Sequence, residues 1–169
     1  LHLEADAVLG DGAAELDDVE ELEYAEAVFK ESMRLYPPAW GLGREPKEDV
    51  EIGGEILPEG AQVLLPQFIV HRDERWFDAP DAFRPERWLE ENEHDDGERP
   101  RMAYYPFGGG RRICVGNHFA EMEAIFAFSI MARDWRFEHV SPDVLETYPS
   151  ITQRPTEPIQ LRAVKRERH

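Results

Sequence analysis

A short loop, residues 107–116, gathers the residues of this chain that are best suited to chemistry. It reads Phe-Gly-Gly-Gly-Arg-Arg-Ile-Cys-Val-Gly, and Cys114 within it is the only cysteine of the chain. Neighbouring arginines or a helix N-terminus lower the pKa of a thiol and favour the thiolate, which is the form that binds metals. Glycines allow a backbone to approach a flat ligand closely. This cysteine loop therefore predicts a thiolate ligand for a metal held in a flat prosthetic group.

Other roles are conceivable for Cys114 from its residue type alone. A lone free cysteine is often a small buried hydrophobic residue. One cysteine cannot form an internal disulfide or the cysteine cluster of a structural zinc site. Residues 108–112 lack the Lys-Ser/Thr ending of a phosphate-binding loop. A nucleophilic cysteine would need a histidine base, and the six histidines leave that alternative open on composition alone.

The cysteine loop resembles a signature of the cytochrome P450 family. Five loop residues match that signature in order and spacing: Phe107, Gly110, Arg112, Cys114 and Gly116. The match continues beyond the loop with Phe119, Ala120 and Glu123.

Two further signatures of the same family precede the cysteine loop in the expected order. Glu31-Ser-Met-Arg34, followed by Leu-Tyr-Pro-Pro, resembles the Glu-x-x-Arg helix, and Phe83-Arg-Pro-Glu-Arg-Trp88 resembles the Pro-Glu-Arg element. A lone Glu-x-x-Arg pair occurs on many solvated helices. Three ordered signatures are specific, and the resemblance covers essentially the whole chain.

The resemblance implies haem b (iron protoporphyrin IX) as the cofactor, with Cys114 as the thiolate ligand of the iron. Gly110 and Gly116 would let the loop pack closely under the porphyrin. Phe107 would shield the sulfur from water and so tune the reduction potential. Backbone N–H groups and a helix beginning near Val115 would keep the sulfur anionic.

Arginines near the loop are expected to bind the haem propionates, because a guanidinium pairs with a carboxylate through two parallel hydrogen bonds. Arg112 is the first candidate. Arg44 is the second, with a solvated loop arginine as the alternative. His71 could also reach a propionate, with a structural histidine as the alternative. Arg111 is expected to face a redox partner.

Glu31, Arg34 and Arg87 match a charged cluster of the family whose role is structural rather than catalytic. The distal pocket is expected to include the segment around Trp40 and Leu42 and the turn at Ile151 and Thr152. Ordinary packing is the alternative for Trp40, which is bulky for this position.

The implied function is haem-thiolate monooxygenation, in which one oxygen atom of O₂ enters a small hydrophobic organic substrate. Electrons would arrive from a ferredoxin or a flavoprotein reductase. Two alternatives remain: a peroxygenase or isomerase with the same fold, and a truncated, catalytically silent remnant. The family's oxygen-activating helix lies upstream of the residues matched here, so this chain by itself is expected to be inactive.

Composition adds constraints on location and partners. The net charge is −17, and only three of the 19 basic residues are lysine. An acidic surface repels the phosphates of nucleic acid and anionic membrane surfaces. No membrane segment or nucleic-acid partner is expected. The lysine-poor acidity predicts a high-salt cytoplasm, in which ions screen the surface charges, with an ordinary acidic protein as the alternative.

The elements around these residues follow from hydrophobic periodicity. Helices are predicted over residues 1–9, 18–36 and 116–133, the last with Phe119, Met122, Ile125, Phe126 and Ile130 on its buried side. Strands are predicted over 50–52, 55–57, 62–68, 136–140, 150–153 and 158–164. The acidic residues 89–98 are predicted to be a solvated loop and the last five residues a frayed end.

The fold class is therefore mainly α with small antiparallel β-sheets. The resemblance implies the carboxy-terminal portion of the cytochrome P450 fold. Residues 1–169 are interpreted as a carboxy-terminal fragment of a single domain, because the pattern of the first helix starts midway and the family's domain is more than twice as long.

Overall fold

The computed structural model describes residues 1–89, 99–140 and 146–167. Four α-helices lie in these ranges: α1 (His2–Val8), α2 (Glu23–Leu35), α3 (Gln67–Val70) and α4 (Asn117–Asp134). Short 3₁₀ turns at Leu16–Glu21, Pro85–Trp88, Arg101–Ala103 and Gly110–Arg112 connect them. No helix of the described ranges has the length and apolar character needed to cross a bilayer.

Eight short strands pair within the described ranges as separate antiparallel ribbons. They are β1 (Leu42–Arg44), β2 (Val50–Ile52), β3 (Glu55–Leu57), β4 (Val63–Leu65), β5 (Trp135–His139), β6 (Thr147–Pro149), β7 (Gln153–Pro155) and β8 (Leu161–Lys165). The pairs are β1 with β4, β2 with β3, β5 with β8 and β6 with β7. The predicted fold class, helices with small antiparallel sheets, is confirmed.

Helix α2 begins later than its apolar pattern predicts. Residues 16–21 form a 3₁₀ turn, and Leu22 leaves the helical conformation with φ −93° and ψ 51°. The carboxylate of Glu4 on α1 then accepts hydrogen bonds from the backbone N–H groups of Tyr24 and Ala25. Those groups belong to the first turn of α2 and have no partner within the helix, so a long-range carboxylate favours the helix start.

Helix α4 buries a narrower face than predicted. Ile125, Ser129 and Ala132 are its buried residues, and they lie at helical spacing on the side that faces α1 and α2. Phe119 and Ile130, predicted to be buried, are 65% and 37% exposed. Helix α4 is apolar on more than one side, so its periodicity alone does not distinguish the packed face.

The strand predictions need two corrections. Residues 150–152 form the connection between β6 and β7, and of the predicted strand only Gln153 lies in β7, where it pairs with Pro149. The strand predicted over 62–68 ends at Leu65, since Pro66 has no N–H to donate and instead begins α3. Strands β1 and β6 are not predicted by the sequence: β1 includes Gly43, β6 ends in Pro149, and neither shows a clear alternation.

The carboxy-terminal end is held rather than frayed as far as Arg166. Arg166 forms an ion pair with Asp6 of α1 and donates to the carbonyls of Ala132 and Arg133 at the end of α4. These carbonyls lack partners within the helix, so the guanidinium caps it. Residues 168–169 lie outside the described residues, as does most of the predicted acidic loop, 90–98.

Candidate functional site

The cysteine loop is closed by its own backbone hydrogen bonds. The N–H of Cys114 donates to the carbonyl of Phe107 at 3.0 Å, and the N–H of Ile113 donates to the carbonyl of Gly110 at 3.2 Å. Cys114 is a free, exposed cysteine. The loop therefore holds the thiol at its surface, where an external ligand can reach it.

Positive charge and a helix start lie close to the thiol in sequence. Helix α4 begins at Asn117, and the N–H of Asn117 donates to the carbonyl of Cys114 at 3.4 Å. Arg111 and Arg112 are exposed in the 3₁₀ turn just before it.

Two loop glycines require a conformation that other residues avoid. Gly108 has φ +78° and Gly110 has φ +67°. A Cβ at Gly108 would also lie 3.3 Å from Cδ1 of Leu42, so β1 lies against this part of the loop. Gly116 has no such requirement, because its φ is −93° and a Cβ there would meet nothing within 4 Å. Sequence reasoning singled out Gly110 and Gly116 but not Gly108.

Phe107 connects the loop to α2. Its ring lies 6.4 Å from that of Phe29 in a stacked arrangement, with an interplanar angle of 26°. An open cleft of about 550 Å³ adjoins this contact, lined in part by Lys30, Tyr104 and Glu121. The shielding of the sulfur by Phe107 stays a prediction.

Glu31, Arg34 and Arg87 are brought together and buried. Both nitrogens Nε and Nη2 of Arg34 donate to the two carboxylate oxygens of Glu31 at 2.9 Å, and Nε of Arg87 donates to Oε1 at 3.2 Å. Oε1 also accepts from the backbone N–H of Arg84 and Oε2 from Nε1 of Trp88. The carboxylate thus has five donors, which is what a buried charge needs.

The Glu31 cluster joins α2 to the segment around the Pro-Glu-Arg element. Nη1 of Arg34 donates to the carbonyls of His71 and Pro80, and Nη2 donates to that of Ala82. Burial alone would raise the pKa of Glu31, but hydrogen bonds from Arg34 and from the Arg84 N–H outweigh it and lower the pKa below its ordinary value. The carboxylate is therefore ionised at neutral pH.

The two propionate candidates lie on different elements near the loop. Arg44 ends β1, which borders Gly108, and its Nη1 donates only to the carbonyl of Gly43 at 2.8 Å. Arg112 is exposed in the loop itself. Within the described ranges neither guanidinium forms an ion pair with a carboxylate, so both remain available to one from a ligand.

The candidate pocket residues belong to two regions that the structure joins. Nε1 of Trp40 donates to the carbonyl of Ser150 at 2.7 Å, next to Ile151 and Thr152. The side chain of Ile151 is 96% exposed. Leu42 lies instead against Gly108 of the cysteine loop. Contact of these four residues with a substrate stays a prediction.

His71 is completely buried. Its Nε2 accepts a hydrogen bond from the backbone N–H of Tyr105 at 2.9 Å, and its ring packs against those of Tyr104 and Tyr105. Of the two interpretations left open for His71, this geometry favours the structural one. Gln67, one turn earlier on α3, is equally buried and was missed; a glutamine within an apolar run was the available signal.

The donor groups around Cys114 fit a haem. Among the described residues, no group of three or more His, Cys, Asp or Glu could hold a metal ion. A metal carried in a porphyrin takes other ligands from the porphyrin nitrogens, so a single thiolate of the chain would be enough to hold it. The exposed thiol, a loop that turns on Gly108 and Gly110, and two unpaired arginines match a flat, metal-bearing ligand with carboxylates.

Comparison with known proteins agrees with this chemistry. A family model described as "Cytochrome P450" matches residues 1–162. Cyclooctatin synthase of Streptomyces melanosporofaciens is 40% identical over 152 residues, which cover 90% of this chain and 32% of that protein. Cytochrome P450 3A1 of Rattus norvegicus is 37% identical over 153 residues, covering 89% of this chain and 30% of that protein.

A solved structure shares the fold. The crystal structure of the cytochrome P450DA heme domain superposes with a TM-score of 0.88 at 29% identity, covering 98% of this chain and 36% of that one. The chain thus spans about a third of the length of the relatives it matches. Three sequence signatures, the closed cysteine loop and these matches lead to one conclusion: the chain belongs to the cytochrome P450 family.

Proposed function

We propose that this chain provides the thiolate-bearing side of a haem-thiolate monooxygenase, which inserts one oxygen atom of O₂ into a small hydrophobic organic substrate. The observation that carries the proposal is the free, exposed Cys114 in a hydrogen-bonded loop of glycines and arginines, directly before α4. When bound, haem b supplies redox-active iron, and a thiolate ligand favours O–O cleavage at that iron.

Each residue of the site has a definite task in this proposal. Cys114 holds the iron, and Arg112 and Arg44 bind the propionates through charge-assisted hydrogen bonds. Gly110 and Gly116 allow close approach of the loop, and Phe107 excludes water from the sulfur. Trp40, Leu42, Ile151 and Thr152 line the substrate pocket. The Glu31 cluster holds the scaffold and takes no part in chemistry.

Electrons are proposed to come from a redox partner, a ferredoxin or a flavoprotein reductase. The exposed guanidinium of Arg111, next to the cysteine loop, supports a docking role for this side of the molecule. An acidic partner surface would be attracted to it over about a Debye length, roughly 8 Å at physiological ionic strength.

The reaction type can be tested in a chimera that carries this chain in place of the matching region of cyclooctatin synthase. We expect the chimera, with a ferredoxin and its reductase, to convert the host's own substrate. Isotopically labelled O₂ should place one labelled atom in the product. Product that forms without labelled oxygen, or only when peroxide is added, would instead favour the isomerase or peroxygenase alternative.

The 169-residue chain by itself is predicted to give no coupled turnover. Productive oxygen activation needs an active site closed to water, whereas Cys114, Ile113 and Val115 are all exposed here. The measurement adds haem, a reductase system and a hydrophobic substrate, and compares product with NADPH consumed. Product formed in proportion to NADPH by the chain alone would contradict this expectation.

Salt dependence is predicted from the net charge of −17. Molar KCl shortens the Debye length to about 3 Å and screens repulsion among surface carboxylates. The melting temperature of the protein should therefore be higher in molar KCl than in dilute buffer. The response should shrink when three exposed carboxylates are neutralised together, as Asp17→Asn, Glu20→Gln and Glu21→Gln. A melting temperature that is flat or falls with salt would refute adaptation to a high-salt cytoplasm.

A further inference from the structure

His71 connects the Glu31 cluster to the segment that leads into the cysteine loop. Its backbone carbonyl accepts a hydrogen bond from Nη1 of Arg34 at 2.8 Å. Its ring Nε2 accepts one from the backbone N–H of Tyr105 at 2.9 Å. His71 thus makes one buried hydrogen bond to the Glu31 cluster and one to the segment that leads into the cysteine loop.

Further backbone hydrogen bonds lie between Tyr105 and the backbone of Cys114. The carbonyl of Tyr105 accepts from the N–H of Gly108 at 2.8 Å, where the loop turns with positive φ. The carbonyl of Phe107 then accepts from the N–H of Cys114 at 3.0 Å. A change in the position of the Tyr105 backbone would therefore alter the turn that places the cysteine.

Helix α3 holds both polar groups of the Tyr105 backbone. Gln67 donates from its side-chain amide to the Tyr105 carbonyl, while His71, one helical turn later, accepts from the N–H. Both side chains have no exposed surface. Within the described ranges no backbone carbonyl accepts from the Tyr105 N–H. Loss of the His71 acceptor would leave that buried donor unpaired, which is costly.

The accepting role requires a neutral ring that carries its proton on Nδ1. Burial, and next the positive charge of Arg34, lowers the pKa of His71 to about 4, so the ring is neutral at neutral pH. The Nδ1 atom is buried without a hydrogen bond of good geometry. The hydrogen bond at Nε2 is therefore the one of good geometry that the ring makes within the described residues.

We propose that His71, together with Gln67, is a positioning residue that holds the cysteine loop in its ligand-binding conformation before any cofactor binds. Neither residue touches the thiol; both act through the Tyr105 backbone. The inference concerns the order of the loop in the chain itself, so it can be tested without haem and independently of the proposed reaction.

The test is amide hydrogen exchange of the 169-residue chain at neutral pH. His71→Phe keeps ring volume but removes the acceptor, and we expect the amides of Tyr105, Gly108 and Cys114 to exchange about tenfold faster. His71→Gln restores an acceptor and should recover most of the protection. Ile69→Ala changes an exposed residue of the same helix and should leave these amides unchanged.

Two measurements distinguish a specific effect of His71 on the cysteine loop from a general loss of packing. The amides that pair β5 with β8 should keep their protection in His71→Phe, because that ribbon is held by its own ladder and adjoins α4 rather than depending on the Tyr105 backbone. Nitrogen NMR of labelled histidine in the wild-type chain should show the Nδ1–H tautomer for His71. A proton on Nε2, or equal loss of protection in His71→Gln and His71→Phe, would overturn the proposal.

Discussion

The Cys114→Ala form of the chimera should lose the red-shifted Soret band that a thiolate-ligated haem shows after reduction and addition of CO. Cys114 is the only cysteine of this chain, and it lies in the loop that the chain's own hydrogen bonds hold open to a ligand. Alanine offers the iron no donor atom. The expected effect is complete loss of the band, measured as the difference spectrum per haem.

A matched control lies next to the cysteine. Ile113→Val alters an exposed neighbour by one methyl group and should keep the thiolate band. Cys114→Ser retains the size of the side chain, but a hydroxyl is a poor ligand for this purpose, so the band should again be absent. Retention of the band in Cys114→Ala would end the assignment of this residue as the ligand.

Removal of the Glu31 carboxylate is expected to be the most destabilising single change in the scaffold. Glu31→Ala should lower the free energy of unfolding by about 3–5 kcal/mol, because two buried guanidinium groups are left without their partner. Both Glu31 and Arg34 have no exposed surface, and Arg87 is 8% exposed. Urea unfolding of the chain measures the loss directly.

Glu26→Gln is the matched control on the same helix. Glu26 pairs with Lys30 at the surface, with 40% of the Glu26 side chain exposed, so its loss should cost less than about 1 kcal/mol. In the chimera, Glu31→Ala should reduce the yield of haem-loaded protein. A variant that folded normally, bound haem and lost only turnover would contradict a structural role for Glu31.

The ionised carboxylate of Glu31 should also affect how the free energy of unfolding depends on pH. The folded-state pKa of Glu31 lies below its ordinary value of 4.5. A depressed carboxyl pKa contributes stability that is fully present above the unfolded-state pKa and is lost as the pH falls through the folded-state value. Wild-type stability should therefore decline more steeply below about pH 4.5 than that of Glu31→Gln, measured by urea unfolding at each pH.

Local sequence was sufficient to find the main elements and the cysteine loop. The hairpin of β2 and β3 follows directly from Gly53-Gly54 between two short apolar runs, and its bounds are confirmed. Helix α4 was placed within one residue at each end. These features depend on turn chemistry and periodicity, which act between near neighbours. The roles of Cys114, Arg112, Arg44 and the four pocket residues stay predictions.

Long-range contacts decided what periodicity could not. Glu4 determines where α2 starts, and Arg166 determines that the carboxy-terminal end is held, although each partner is distant in sequence. The buried face of α4 depends on which of its apolar sides α1 and α2 cover.

What the sequence by itself determined about this protein is its family, because three ordered signatures are readable from residue types and spacing. Only the tertiary structure decided how the cysteine loop is held. Gln67 and His71 bind the backbone of Tyr105 from more than thirty positions away. Backbone polar groups have the same chemistry at every residue, so their long-range partners become visible only once the chain is folded.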